Sequence, residues 1–258
     1  MKKGLYEFMD YFPFLIEIIK RDFKKKYYKS ILGVAWTVLS PLLMMIVITI
    51  VFSSLFSKSI AHYPSYWLSG NLLFSFIIGG SDAVMNSMAA NSSLIKKKRM
   101  PKYLFCISTL TQHFISTLFA LIPYIVVSLI IGVRLNFYSF LIPLPLILAY
   151  IFALGLGMFL CAYGTFFKDL HYLYRVLRRL FMYLTPIFYP ISIIPSQFRF
   201  LWDLNPLCVY ITMFRDLTLN GTMPSEKSII IGTVYAVLTL ALGIVTFKEK
   251  EERFFLYL

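Results

Sequence analysis

Long apolar runs alternate with short basic segments along most of the chain. A helix needs about 20 residues to cross a hydrocarbon core of about 30 Å, and each run is long enough. The pattern therefore predicts six membrane-spanning helices with both chain ends on the same side of the membrane. The predicted spans are Ile31–Phe56, Tyr66–Met88, Tyr103–Ile131, Phe137–Phe167, Leu170–Tyr189 and Ser228–Phe247.

An amphipathic segment precedes the first span. Apolar residues recur at helical spacing from Leu5 to Phe23, and a basic run follows. This pattern predicts an interfacial helix over residues 1–30, bent or divided at Pro13. The membrane domain then occupies residues 31–258.

Residues 190–223 are too apolar for a solvated loop and too rich in proline and charge for a span. Two short helices are predicted there, one capped by Ser196 and one opening at Asn205 with Pro206 at its first helical position. Non-helical backbone survives at membrane depth only against protein or water. The segment is therefore predicted to be a re-entrant helical hairpin on the outer side, and a pair of surface helices is the alternative.

Composition agrees with an all-α polytopic membrane protein. Of the 258 residues, 59% are hydrophobic and only 14% are charged, which excludes both an ordinary soluble enzyme and a disordered chain. The net charge of +13 comes from basic residues that cluster where the apolar runs end. By the positive-inside rule both termini lie in the cytoplasm, and no nucleic-acid partner is expected. The predicted location is the cytoplasmic membrane, spanned several times.

No catalytic, metal-binding or cofactor-binding residues are predicted. The histidines and cysteines are widely separated and lack metal-ligand spacing. The segment Gly221–Ser228 approaches a phosphate-binding loop, but Glu226 replaces the second glycine and would repel a phosphate. The chain is accordingly predicted not to be an enzyme.

Ionisable residues near the spans are candidates for function because they are costly in a membrane. Asp82 either faces a pathway or lies in the bundle interior. Arg175, Arg178 and Arg179 are spaced i, i+3 and i+4, so they project from one helix face. A fifth span that started after them would be only about 15 Å long, so the helix must begin before them. These arginines predict a water-filled entrance that faces an anion, and binding of anionic bilayer lipids is the alternative.

Two further features concern polar segments. Gln112 and His113 lie within the third span and are predicted to make interhelical hydrogen bonds. The loop Asn91–Lys102 is basic and cytoplasmic. It is either a solvated loop or a short surface helix, ended before Pro101, that binds a cytosolic partner.

Several motifs, in order along nearly the whole chain, resemble those of ABC-2 type permeases that export O-antigen, capsular polysaccharide or teichoic acid. Phe167-Lys168-Asp169-Leu170 departs from the usual pattern by having Lys in place of Arg. The other motifs are Lys20-Arg21-Asp22-Phe23, Tyr28–Trp36, Pro41, Asn91–Lys96 with Met100-Pro101, Leu184–Pro190, Leu204-Asn205-Pro206 and Phe214-Arg215.

The resemblance implies a homodimer bound to two copies of a separate cytosolic ATPase, which would carry ATP and Mg²⁺. Its substrate would be a lipid-linked glycan, which it would move across the cytoplasmic membrane. Membrane lipids would also be partners. The ATPase-coupling candidates are Asn91, Leu94, Lys96, Lys97, Lys98, Arg99 and Pro101. The outer-gate candidates are Pro195, Trp202, Asn205, Pro206 and Arg215. The path candidates are Trp36, Asp82, Tyr183, Phe188 and Tyr189, and the headgroup candidates are Arg175, Arg178 and Arg179.

Three other classes remain as alternatives. An ABC-2 permease for a drug, a peptide or another lipid would share the fold but match Leu184–Pro190 less well. A membrane enzyme of lipid metabolism needs clustered acidic ligands. A secondary transporter needs ion-binding carboxylates or broken helices near the midplane.

Overall fold

The computed structural model describes residues 2–28, 32–56, 59–97, 100–134 and 136–254. Helices dominate these ranges, and no β-strand occurs in them. The α-helices are α1 (Lys2–Tyr27), α2 (Ala35–Phe56), α3 (Tyr63–Met85), α4 (Ser87–Ala90), α5 (Ser92–Lys97), α6 (Tyr103–Ile130), α7 (Pro143–Gly164), α8 (Asp169–Leu184), α9 (Arg199–Asp203), α10 (Pro206–Arg215) and α11 (Glu226–Lys250).

Five segments of the described chain are long and apolar enough to cross a membrane. They correspond to five of the six predicted spans, so the long apolar runs did identify helices. The fourth of these segments opens with a 3₁₀ turn, Phe137–Leu141, which is capped by Asn136. The five segments are Ala35–Phe56, Tyr63–Met85, Tyr103–Ile130, Phe137–Gly164 and Glu226–Arg253.

The remaining predicted span begins as expected but ends early. Helix α8 starts at Asp169 and stops at Leu184, so its 16 residues extend about 24 Å. The reason is Pro186, because a residue before proline is pushed out of the helical region. Thr185 accordingly has extended dihedrals, φ −109° and ψ 134°.

Two local predictions need correction. Helix α1 continues through Pro13, so this proline does not divide it. Ser196 does not cap a helix: it is the first residue of the 3₁₀ turn Ser196–Phe198, which leads directly into α9. The second predicted cap is correct, since the Asn205 side chain accepts a hydrogen bond from the backbone N–H of Leu207.

Helix α3 lies at the centre of the bundle. Of its 23 residues, 16 are buried, and it packs against α6, α7 and α10. Helix α11 lies on the far side of α7, while α1 runs along α6. In contrast α2 contributes no buried residue, so one apolar face of the first span is open.

Glycines allow α7 and α11 to approach closely. A Cβ at Gly155 would overlap the backbone of Thr239 and Leu240, and a Cβ at Gly243 would overlap the carbonyl of Gly155. Small residues are the usual means by which membrane helices bring their backbones together. This crossing therefore depends on the absence of two side chains.

We expect Gly155→Ala to destabilise the protein by about 1–3 kcal/mol, the usual cost of overpacking a tight contact. Thermal unfolding of the detergent-solubilised protein, followed by tryptophan fluorescence, measures the effect. Gly79→Ala is the matched control, because a Cβ there meets no atom within 4 Å. Equal unfolding temperatures for the two variants would contradict the close crossing.

Candidate functional site

Arg215 is buried at the end of α10 and is 6% exposed. Its guanidinium donates three hydrogen bonds: to the Ser69 hydroxyl (3.2 Å), to the Pro186 carbonyl (2.8 Å) and to the Tyr66 carbonyl (2.9 Å). The same group lies 3.5 Å from the centre of the Tyr66 ring, a close cation–π contact. Arg215 thus joins the start of α3 to the segment that follows α8.

The bundle leaves room for this guanidinium at Gly70. A Cβ there would lie 2.7 Å from Arg215 Nη2 and 3.3 Å from the Cα of Ile187. The glycine in α3 is therefore required by the arginine in α10.

Asn205 makes a second connection to the end of α8. Its side-chain amide donates to the Thr185 hydroxyl (3.2 Å) and to the Leu184 carbonyl (3.3 Å). Its side-chain oxygen caps α10 through the N–H of Leu207 (3.0 Å). One buried side chain therefore caps α10 and also satisfies the carbonyl at which α8 ends.

Tyrosine hydroxyl groups complete this region. Tyr63 donates to the Phe188 carbonyl and Tyr66 to the Tyr189 carbonyl, both at 2.9 Å. The Trp202 indole donates to the Tyr189 hydroxyl at 3.2 Å. We call the group Tyr66, Ser69, Thr185–Tyr189, Trp202, Asn205 and Arg215 the clamp.

The structure brings most outer-gate candidates together but separates the path candidates. Trp202, Asn205, Pro206 and Arg215 lie in or beside the clamp, whereas Pro195 is exposed outside it. Phe188 belongs to the clamp and packs against Phe52 of α2. Tyr183 is exposed on α8, and its carbonyl accepts a hydrogen bond from Tyr189. Trp36, 47% exposed, lies at the other end of α2.

Near the middle of α8, two polar contacts attach it to α3. Arg178 Nη1 lies 2.9 Å from Asp82 Oδ2, an ion pair. The Tyr174 hydroxyl lies 2.5 Å from the Ser81 hydroxyl. Asp82 therefore faces α8. We call these four residues the latch.

The other two headgroup candidates are placed differently. The Arg175 guanidinium lies 5.5 Å from the centre of the Tyr172 ring, and Arg179 is exposed. Neither forms an ion pair with any residue in the described ranges. Of the predicted triplet, Arg178 alone is paired with a carboxylate.

The segment after α3 is attached to the N-terminal helix. Arg21 Nη2 donates to the side-chain oxygen of Asn91 (2.6 Å), and the Asn91 amide donates to the Ser87 carbonyl (2.9 Å). Nearby, the Gln112 amide donates to the Asp22 carbonyl (2.9 Å), the interhelical hydrogen bond predicted for Gln112. The Asn91 side chain is thus a direct connection between α1 and the predicted coupling loop.

The remaining coupling candidates lie around α5. Leu94 packs against the core, Lys96 is exposed and Pro101 precedes α6. Lys97 is the last residue of α5. The candidates Lys98 and Arg99 lie outside the described residues.

The described residues contain no group of three His, Cys, Asp or Glu side chains that could hold a metal ion. In the segment Gly221–Ser228, whose sequence resembles a phosphate-binding loop, Glu226 is the first residue of α11 and follows the cap residue Ser225. Polar contacts with other helices thus hold α8 at its middle and at its C-terminal end.

Comparison with known proteins identifies the family. The profile of the ABC-2 type transporter family matches residues 14–219. The chain belongs to this family. As a member with several apolar helices, it is a multi-pass inner-membrane protein.

Relatives resemble this ABC-2 family chain from end to end. The O-antigen export system permease protein RfbA of Klebsiella pneumoniae is 29% identical over 94% of both chains. The protein of the same name from Myxococcus xanthus is 24% identical over 96% of both. The polysialic acid transport protein KpsM of Escherichia coli is 21% identical over 90% of this chain and 91% of its own length.

Sequence reasoning missed the partners within the latch and at Asn91. The adjacent polar residues Ser81 and Asp82 in a span, and Tyr174 one helical turn before Arg178, were the available signal. Pairing them requires knowing that α3 and α8 touch. Arg21 was noted as part of a motif, but nothing in the sequence indicated its hydrogen-bond acceptor 70 residues away.

We expect Arg215→Lys to lower the free energy of unfolding by about 3 kcal/mol, because one ammonium cannot reach three separated acceptors and stack on Tyr66. Thermal unfolding of the solubilised protein measures this loss. Arg199→Lys, at an exposed position on α9, is the control and should leave stability unchanged. A stable Arg215→Lys variant would show that the clamp does not depend on the guanidinium.

Proposed function

We propose that this chain is the membrane-spanning subunit of an ATP-driven exporter of a lipid-linked polysaccharide of the O-antigen or capsule type. The observation that carries the proposal is the end-to-end similarity to O-antigen and polysialic acid export proteins, which covers at least 90% of this chain. ATP hydrolysis is assigned to a separate cytosolic ATPase, two copies of which bind the permease dimer. ATP and Mg²⁺ belong to that subunit.

The proposed topology has six membrane crossings with both termini in the cytoplasm. The fifth crossing consists of α8 and the non-helical Thr185–Tyr189 segment that follows it. Residues 190–223 re-enter from the outer side. The buried guanidinium of Arg215 supports this placement, since a helix end that lay on the surface would leave its charge in water.

A homodimer is supported by the apolar faces that the bundle leaves open. Helix α2 exposes Ile46, Val47 and Ile50, and α8 exposes Leu173 and Val176. A second copy that covers these faces would place the translocation path between the two subunits. Tyr183 on α8 and Trp36 on α2 are the exposed aromatic candidates for contact with sugar rings.

The exposed arginines of α8 are proposed to bind the phosphate of the lipid-linked substrate. Arg175 and Arg179 have their guanidinium groups available, and a planar guanidinium binds phosphate oxygens in pairs. Arg178, which is paired with Asp82, is instead proposed to fix the position of α8. Phosphates of ordinary bilayer lipids are the competing ligand.

Deleting the gene that encodes this protein should leave lipid-linked glycan inside the host cell and remove it from the cell surface. Wild-type protein should restore export, and Arg175→Gln with Arg179→Gln should reduce it by more than about tenfold, because the loss of even one charge-assisted hydrogen bond costs about that factor. Arg199→Gln is the charge-matched control. Surface labelling of glycan, with membrane insertion checked by fractionation, measures both. Unchanged surface glycan after deletion would refute the proposed function.

The loop Asn91–Lys102 is proposed as the docking surface for the ATPase. Reversing the charges of Lys96–Arg99 should lower ATPase binding and export while the permease stays inserted. Lys227→Glu changes a comparable exposed charge on the opposite side of the membrane and should have no effect. Co-purification of the ATPase with each variant measures docking, and full binding by the reversed loop would contradict the assignment.

A further inference from the structure

A cavity of about 680 Å³ lies between the end of α1 and the helices α2, α3 and α6. This volume is within the range of known ligand sites. No residue of the clamp or the latch lines the cavity, nor do the arginines of α8, whereas the path candidate Trp36 does line it. It therefore needs its own explanation.

The cavity has a polar end and an apolar end. Lys26, Tyr27, His113 and Ser116 line the first. The Lys26 ammonium donates to the Ser116 hydroxyl (3.0 Å), and the Tyr27 hydroxyl lies 3.4 Å from the same oxygen. The imidazole of His113 makes no hydrogen bond within the described ranges, so the interhelical bond predicted for it is not formed there.

Met44, Leu68, Leu72 and Ala120 line the other end, where Asn71 is the one polar side chain among them. Helices α3 and α6 are antiparallel, because Phe76 packs on Phe114 while Ser65 bonds Ser128. Moving from Ser116 to Ala120 on α6 therefore leads toward Leu68 on α3.

The apolar end lies deeper in the membrane than the polar end. On α2, Met44 is nine residues beyond the helix start at Ala35, or about 14 Å. With the N-terminus in the cytoplasm, as proposed above, the polar end lies on the cytoplasmic side of the apolar end. The cavity thus has the polarity of one inner-leaflet lipid.

The charges at the mouth select an anion. Lys26 lines the cavity, and no Asp or Glu does. The nearest acidic residue on α1, Asp22, is paired with Arg21 at 2.6 Å. A cation beside two hydroxyl groups and an imidazole is suited to phosphate oxygens.

We propose that this cavity binds the phosphate headgroup of an inner-leaflet lipid, with one acyl or isoprenoid chain between α2 and the pair α3 and α6. Two sources share this chemistry: a membrane phospholipid and the lipid anchor of the transported glycan. In either case the lipid covers polar groups of three helices and fills the space beside the first span. The inference uses the orientation given under the proposed function.

Two variants test the two ends of the cavity by native mass spectrometry of the purified full-length permease. Lys26→Gln should weaken binding of phosphatidylglycerol by about tenfold, the loss of one charge-assisted hydrogen bond. Ala120→Phe should fill the apolar end and abolish binding. The controls are Lys25→Gln and Leu118→Phe, which alter exposed neighbours on the same two helices. Phosphatidylcholine, which has no net charge, should bind more weakly to the wild type.

A competition arm identifies the source of the lipid. Displacement of phosphatidylglycerol by undecaprenyl phosphate assigns the site to the glycan anchor, and retention of phosphatidylglycerol assigns it to the bilayer. Equal losses in Lys26→Gln and Lys25→Gln, or unchanged binding in a folded Ala120→Phe variant, would overturn the proposal. These measurements need neither the ATPase nor the glycan, so failure of the export proposal is detected separately.

Discussion

A buried guanidinium without an ion-paired carboxylate in the described chain constrains one end of the helix bundle. Removing such a charge from water is costly unless each donor finds an acceptor. Arg215 meets this condition through acceptors on α3 and on the segment after α8. The three hydrogen bonds form together only if these elements and α10 are correctly placed, and Gly70 must stay free of a side chain. One residue thus fixes the relative positions of three parts of the chain.

Helix α8 is held by polar contacts at two places. Tyr174 is its one buried residue, and it belongs to the latch near the middle of α8, which contacts α3 at Ser81 and Asp82. At the C-terminal end, Asn205 bonds the Leu184 carbonyl. Phe181 and Met182 pack against the core between these points, while the other face of α8 exposes apolar side chains. Polar contacts thus set where α8 lies against α3 and α10, and apolar packing supports it between them.

The sequence predicts those structural features that depend on residues close together along the chain. Apolar length identified five of the candidate spans, and Asn205-Pro206 identified the start of α10 because capping is local. Pro186 also indicates the early end of α8, although the apolar run that continues past it favoured a longer helix. Arg178 with Asp82, and Arg21 with Asn91, could not be predicted, since each pair is separated by 70 or more residues. Their contact follows from helix packing that no local pattern specifies.

Helix α3 connects the attachments at both membrane surfaces. Tyr66 and Ser69 at one end accept hydrogen bonds from Arg215, Ser81 and Asp82 near the other contact α8, and the chain then continues to Asn91. Most of α3 is buried, and a closely packed helix transmits strain rather than absorbing it. If Asn91 is displaced, either α3 moves together with the clamp and the latch, or one of these two sets of polar contacts breaks first. The latch is the weaker set, because its ion pair between Arg178 and Asp82 is partly exposed to water whereas Arg215 is enclosed by protein.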